Sequence, residues 1–530
     1  MTKSKVIPLA KVGELIPDDA VVTVSSSSGL GCPDATLRAI GEHFAEHGTP
    51  RGLTTLHPIA AGDMYGILGI DHLAQPGLLK RVIAGSFPSG PSSMPSPKIW
   101  QMILNNELEA YNVPSGILFH MHRESAAGRP GVLTKVGTDT FVDPRRRGAR
   151  MNDRSPEGAV VRLVNFEGDE WLFFPSIPPD VAIIRATTAD EHGNLTFEHE
   201  GAYLGAFDQA LAARNHRGLV IAQVKRLTAF GTLRPQQVRV PGVLVDHVVV
   251  DPDQQQTTQT AYNPAISGEV FRPLWDFHPI EWGVDKVIAR RAAMELCEDD
   301  VVNLGFGICA LVPRILLEEG LHGEVSWAIE QGAVGGMPLL GFAFGCSSNA
   351  DAIVPSPDQF TFFQGGGFDR SCLSFLQVDR EGNVNVSRLG LRPHVTAGCG
   401  GFIDITATAR AILFCGYFTA GGLDLRVEDG RLRIVKEGKN RKFVPEVEHV
   451  TFSGRRARQL GQNVLYITER CVLRLDPEGL TVIEIAPGID LKRDVLGQAE
   501  VPLRVSERLA TMDERIFRPG PFGLKLNPPV

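Results

Sequence analysis

Strand, glycine-rich turn, helix and strand follow one another twice along this chain, and an internal repeat of that kind constrains the fold more than any other feature. In the first copy an apolar run from Val21 to Val24 leads into the small-residue turn Ser25-Ser-Ser-Ser-Gly29-Leu-Gly31, a helical pattern from Asp34 to His43 and a short strand from Gly52 to Leu56. In the second, a helical stripe at Val284, Val287, Ile288, Ala292 and Leu296 precedes a strand from Val301 to Leu304 and a turn from Gly305 to Gly307. A helix from Leu311 to Glu319 and a strand from Val325 to Ile329 complete it. Farther on, Asp190-Glu-His-Gly193-Asn194 and Asp379-Arg-Glu-Gly382-Asn383 are two versions of one hairpin-like turn entering an alternating strand. The strand from Arg217 to Val224 has its counterpart from Arg410 to Tyr417. The opening elements are offset by about 280 residues and the later ones by about 190. The first copy therefore carries an insertion of roughly 90 residues, around Pro88 to Pro97 and Phe141 to Asn152.

The expected fold class is α/β, built as two tandem related domains. The divider lies near Asp251 to Pro264, where Asp-Pro-Asp-Gln-Gln-Gln-Thr-Thr-Gln-Thr lacks periodicity and apolar residues and reads as a flexible or looping linker. We set the boundaries at residues 1–260 for the N-terminal domain, 261–280 for the linker and 281–530 for the C-terminal domain. With 530 residues, 43% of them hydrophobic, the chain can bury two such cores.

The formal charge of −8 leaves no basic field for a nucleic-acid backbone, so nucleic acid is not an expected partner and any anionic ligand must be held locally. No stretch approaches 18 apolar residues, so no membrane partner is expected either. The eight cysteines form no CxxC pair and stand at no short spacing from histidine, which suggests neither a metal centre nor a disulfide framework. No apolar signal segment occurs within the first 24 residues, and the expected location is reduced and cytoplasmic.

The densest chemical signal is Ser326-Trp-Ala-Ile-Glu330-Gln-Gly332-Ala-Val-Gly335-Gly336. Here an apolar strand ends on a carboxylate, and three glycines follow within six residues. Ligand sites of open α/β sheets lie at that carboxyl edge. Glu330 reads either as a covalent nucleophile or as a plain turn cap. In Gly398-Cys399-Gly400-Gly401-Phe402-Ile-Asp404, flexible residues can turn backbone N–H groups toward one point as an oxyanion hole, or can simply form a strand-entry turn. Val301 to Ala310 also fits GxGxxA between strand and helix, with Glu330 as an acid 25 residues past Gly305, which keeps an NAD-dependent oxidoreductase open. There is no G-x-S-x-G elbow. His57 and His120 read as satisfied or surface histidines, and Lys436, Lys439, Arg441 and Lys442 as a solvated basic turn that phosphates can pair with.

At these residues the chain resembles the family I CoA-transferases, of the fused-chain acetate or propionate CoA-transferase type. The resemblance runs from about Val21 to Phe517. It includes Val136-Gly-Thr-Asp-Thr-Phe-Val-Asp-Pro144, Asp180-Val-Ala-Ile-Ile-Arg185, Tyr466-Ile-Thr-Glu-Arg470 and Glu484-Ile-Ala-Pro-Gly-Ile-Asp490. It implies a tandem pair of CoA-transferase superfamily domains with the active site between them. Glu330 matches the catalytic glutamate at E-x-G-x-x-G-G. Gly400, Gly401 and Phe402 match the loop whose amides support the acyl oxygen, and Asn303, Gly305, Phe306 and Gly307 the turn that approaches CoA. Ser115 stands where the family commonly has a glutamine lining the acyl site.

The implied activity is transfer of CoA from an acyl-CoA to a carboxylate acceptor, ping-pong, through a glutamyl-CoA thioester, in short-chain fatty acid metabolism. Acyl-CoA and carboxylate are then the partners, coenzyme A is a substrate, and neither cofactor nor metal is expected. The protein is expected to be a homo-oligomer, dimer or tetramer. An acyl-CoA hydrolase on the same scaffold is the second reading, and the NAD enzyme the third.

Overall fold

In the computed structural model, which describes residues 4–91, 93–390 and 393–529, each repeated unit forms a largely parallel sheet. The first sheet runs, in spatial order, Glu109–Asn112, Leu79–Ala84, Leu53–His57, Val21–Val24, Val181–Asp190, Leu219–Thr228 and His247–Val250, all parallel. The second has Ser326–Ala328, Val301–Leu304, Arg370–Ser374, Ala411–Cys415 and Asn463–Ile467 in the same sense, then continues as an antiparallel meander through Cys471–Asp476 and Gly479–Ile485. These strands read as apolar runs because helices cover both faces: all ten residues of Val181–Asp190 and all five of Ala411–Cys415 are buried.

The repeat extends to individual hydrogen bonds. Asp190 Oδ1 accepts from the N–H of His192 and Asn194, and Oδ2 from Asn194 Nδ2. Asp379 does the same with Glu381, Asn383 and Asn383 Nδ2. Gly193 and Gly382 sit at the same corner with φ of 81° and 76°, a region open to glycine.

The insertion supplies the parallel strands Leu79–Ala84 and Glu109–Asn112 and a three-stranded antiparallel sheet from Gly131–Thr134, Arg162–Phe166 and Asp169–Pro175. Its stretch from Pro88 to Pro97 contains Ser92, which lies outside the described residues. The polar run after Asp251 does loop, with Pro252, Asp253, Gln255 and Gln259 exposed and the residues between them turned inward. Gln254, Gln256, Thr257 and Thr258 are buried, because their polar atoms find partners. The Gln256 carbonyl accepts from Arg185 Nη2 at 3.2 Å, and Thr258 Oγ1 donates to Asp63 Oδ2 at 2.5 Å. Among the described residues no helix is long and apolar enough to cross a membrane.

The halves interlock along one seam. The helix Ser115–Ala126 of the first half packs on Ser356–Gln364 of the second, with Phe119 and Phe360 rings 5.6 Å apart and Arg123 Nη2 2.6 Å from Asp358 Oδ1. That seam meets the carboxyl edge of the second sheet.

Candidate active site

Glu330 occupies the tip of a tight hairpin at this edge. The strand Ser326–Ala328 turns back through Glu330 and Gln331. Gly332 N–H donates to Ile329 O, and Ile329 N–H to Ala333 O, both at 2.9 Å. Each glycine of the cluster has a steric reason. Gly332 has φ of 119° and lies so close to Val354 that a Cβ would stand 2.0 Å from its carbonyl oxygen. At Gly335 a Cβ would stand 1.8 Å from Asp351 Oδ2. The cluster therefore fixes the angle at which Glu330 leaves the sheet.

The residue keeps a partial opening to solvent, but protein surrounds the carboxylate itself, and that burial pushes its pKa up to about 7. The backbone N–H of Gly401 opposes the shift by hydrogen bonding to the charged form. Gln331 Nε2 lies 3.4 Å from Glu330 Oε1 and 3.2 Å from Ser27 Oγ, tying the hairpin tip to the serine turn of the first half. Among the described residues Glu330 forms no ion pair. It is a carboxylate that burial holds well above the usual carboxylate range, with one backbone amide against it.

The three residues of the expected oxyanion loop have different duties. Gly400 N–H donates to Gly85 O at 2.7 Å and Phe402 N–H to Cys399 O at 3.0 Å, so both are committed to the protein. Gly401 alone of the three turns its N–H toward Glu330. A Cβ on Gly401 would stand 2.5 Å from Glu330 Oε2, which explains glycine there at an ordinary φ of −86°. Gly401 also caps the helix Phe402–Thr406, whose remaining side chains are buried.

The expected CoA turn divides in the same way. Asn303 is fully buried, with Nδ2 donating to Ala328 O and Oδ1 accepting from Ser371 Oγ, so its side chain links three neighbouring strands. Gly305 to Gly307 form the exposed part. Phe306 is 66% exposed and meets Phe344 edge-to-face at 5.4 Å, while Tyr65 meets Phe342 at 4.6 Å. These rings rim the approach to the Glu330 hairpin, since a Cβ on Gly345 in the same loop would touch Gln331. Lys442 differs from the solvated turn expected of it. Its Nζ lies 4.1 Å over the Phe375 ring, and burial lowers its pKa to about 8.

Ser115 is fully buried, and its hydroxyl has no partner. It lies against Gly85, where a Cβ would come within 2.4 Å of Oγ, so the side chain faces backbone and not an open acyl pocket. What Ser115 offers the site is its N–H, which donates to Gly400 O at 2.9 Å. His57 is buried with Nδ1 3.2 Å from Ile59 O, and burial holds its pKa down at about 4. His120 Nε2 lies 3.1 Å from Thr361 Oγ1.

The residue that sequence reasoning passed over is Asp404. Its Oδ2 accepts from Gly116 N–H at 3.0 Å, and Oδ1 from Gln364 Nε2 at 2.7 Å. Burial, with a contribution from Glu330, raises its pKa to about 7. Asp404 thus clamps the start of the Ser115 helix to the loop that presents Gly401. Its signal is a carboxylate three residues past a glycine pair, flanked on its helix by Phe402, Ile403 and Ile405.

Comparison with known proteins adds to this geometry. Residues 9–251 match the family model described as Coenzyme A transferase. The acetate CoA-transferase YdiF of Escherichia coli K12 is 40% identical over 514 residues, covering 96% of this chain and 94% of that protein. A caffeate CoA-transferase of Acetobacterium woodii is also 40% identical, over 97% of both chains. The crystal structure of acyl-CoA transferase YdiF from Escherichia coli O157:H7, as a thioester complex with CoA, superposes with a TM-score of 0.91. It is 38% identical and covers 99% of this chain and 98% of that one.

Proposed function

Because the chain belongs to the coenzyme A transferase family and is a CoA-transferase, we propose that it moves CoA from an acyl-CoA to a carboxylate through a covalent thioester on Glu330. The Glu330 carboxylate attacks the thioester carbonyl, the C–S bond breaks, and an acyl-glutamyl anhydride and CoA thiolate result. The thiolate attacks the glutamyl carbonyl, the C–O bond to the acyl group breaks, and the first carboxylate leaves with glutamyl-CoA behind. An acceptor carboxylate reverses both steps. Every step exchanges one activated carbonyl for another, so ATP is not needed, and coenzyme A enters as substrate.

The observation that carries this reading is the buried Glu330 carboxylate with Gly401 N–H against it. An oxyanion built on the glutamyl carbonyl meets that same amide. In this reading the active site lies between domains 1–260 and 281–530, joined by 261–280. Gly400 and Phe402 support the loop, Ser115 and Asp404 lock it across the seam, and Gly305 to Gly307 with Phe306 receive the CoA chain. The thioester complex of the Escherichia coli relative and the acetate and caffeate activities of the relatives support the chemistry. A cytoplasmic location and a homo-oligomeric state are proposed from the family resemblance alone.

The test is incubation with an acyl-CoA and no acceptor. The mass of CoA should appear on the peptide carrying Glu330, be absent from Glu330→Ala, and initial-rate lines with an acceptor should be parallel. An adduct elsewhere, intersecting lines, or full acyl-CoA consumption without an acceptor would reject the assignment, the last in favour of a hydrolase.

A further inference from the structure

A cavity of about 300 Å³ opens between the inserted antiparallel sheet of the first half and the helices Phe402–Thr406 and Gly454–Leu460 of the second. None of Glu330, Gly401 and Gly305 to Gly307 lines it. Thr408 and Gln462, which do line it, lie within three residues of the starts of the strands Ala411–Cys415 and Asn463–Ile467. The cavity therefore lies toward the amino edge of the second sheet, opposite the edge that carries Glu330.

Its wall has a definite chemical character. Val136, Ile403, Ala407 and Phe452 make it apolar. The wall's hydroxyls are largely spent locally: Thr138 Oγ1 donates to Lys135 O, Thr140 Oγ1 to Gly137 O, Thr406 Oγ1 to Phe402 O and Thr408 Oγ1 to Phe363 O. No carboxylate lines it among the described residues, whereas two cations do. Lys135 is paired with the largely exposed Asp169 at 2.7 Å, and its Nζ lies 4.8 Å from the Trp171 ring centre. The guanidinium of Arg456 has no hydrogen-bond or ion-pair partner among the described residues. A half-buried guanidinium without a protein partner beside an apolar wall suits one negative charge on an apolar body. The volume lies at the lower limit of ligand pockets, so that body is small.

We propose that this cavity is a second binding site, separate from the active site, for a small carboxylate with a compact apolar or aromatic body, whose charge Arg456 receives. The site also has a physical connection to the chemistry. Ile403 and Thr406 of its wall belong to the helix that Gly401 caps, about 7 Å of helix in all. The inference does not depend on the covalent mechanism.

Trp171 lines the cavity and supplies the reporter. Titration of the full chain with benzoate should quench tryptophan fluorescence saturably, and Trp171→Phe should lose that change. Saturating free CoA should not displace the bound benzoate. Arg456→Gln should weaken binding at least about tenfold, as for loss of a charged hydrogen bond, while Arg456→Lys retains most of it. Neutral benzamide should bind at least about tenfold more weakly than benzoate. Arg456 is half-buried and partnerless, so Arg456→Gln should leave the thermal unfolding midpoint in place. Displacement of benzoate by CoA, equal affinity for benzamide, unchanged affinity in Arg456→Gln, or no saturable quenching would each overturn the proposal.

Discussion

Gly400 and Gly401 are adjacent glycines required for opposite reasons, and alanine at each separates them. At Gly401 the backbone angles of −86° and 0° suit any residue, so Ala introduces no backbone strain. Its Cβ, however, would stand 2.5 Å from Glu330 Oε2 and 2.7 and 2.8 Å from atoms of the Phe360 ring. Ordinary contact requires the carboxylate oxygen to retreat by about 1 Å. A displacement of that size in a near-attack arrangement costs about a hundredfold in rate, and crowding Phe360 costs about 1–3 kcal/mol of stability. At Gly400 the φ is +52° and a Cβ would have no atom within 4 Å. Ala there pays roughly 1–2 kcal/mol for the left-handed backbone, yet it keeps the N–H that donates to Gly85 O. Gly401→Ala should therefore form glutamyl-CoA about a hundredfold more slowly in a rapid-quench experiment read by intact mass, and Gly400→Ala should form it at nearly the wild-type rate with a lowered denaturation midpoint. A wild-type rate in Gly401→Ala, or an equal loss of rate in both, would refute the assignment of Gly401 as the group that positions Glu330.

Three further outcomes are expected. Adduct formation should rise about tenfold between pH 6 and pH 8, because a carboxyl with a pKa of about 7 is roughly one-tenth ionised at the first and nine-tenths at the second; a flat single-turnover profile would exclude this ionisation. The raised pKa also means that the fold favours the protonated acid, so stability from this group is fullest below pH 4.5 and is lost as pH rises through 7; Glu330→Gln should gain on the order of 1–2 kcal/mol over wild type at pH 8, discounting for the partial solvent opening, and nothing at pH 4 in urea titrations. Asp404→Asn removes a like charge near Glu330 while its amide oxygen still accepts from Gly116, so the midpoint of the pH profile should move to lower pH, and an unmoved midpoint would show that the two carboxylates do not interact.

Several features were legible in the sequence because they depend on local patterns. The strands Val21–Val24 and Val301–Leu304 have the bounds read from their apolar runs, and both Asp-x-x-Gly-Asn turns are closed by their own side chains. Glu330 was found for the same reason: a strand ending on a carboxylate followed by glycines needs only neighbouring residues to form its hairpin. Tertiary structure decided which groups of the loops remain available. Gly400, Gly401 and Phe402 are alike on paper, and only the approach of Gly85 and Glu330 from elsewhere in the chain leaves Gly401 N–H facing the carboxylate. The sequence places Asn303 and Ser115 at expected ligand positions, and long-range packing makes one a bond between strands and sets the other against Gly85. Asp404 and Gly116 are 288 residues apart, and no periodicity connects them; burial of one carboxylate between two halves is a property of the seam. Sequence determined the elements that local hydrogen bonding and sterics can close, and the folded chain determined every role that depends on which donor is already occupied.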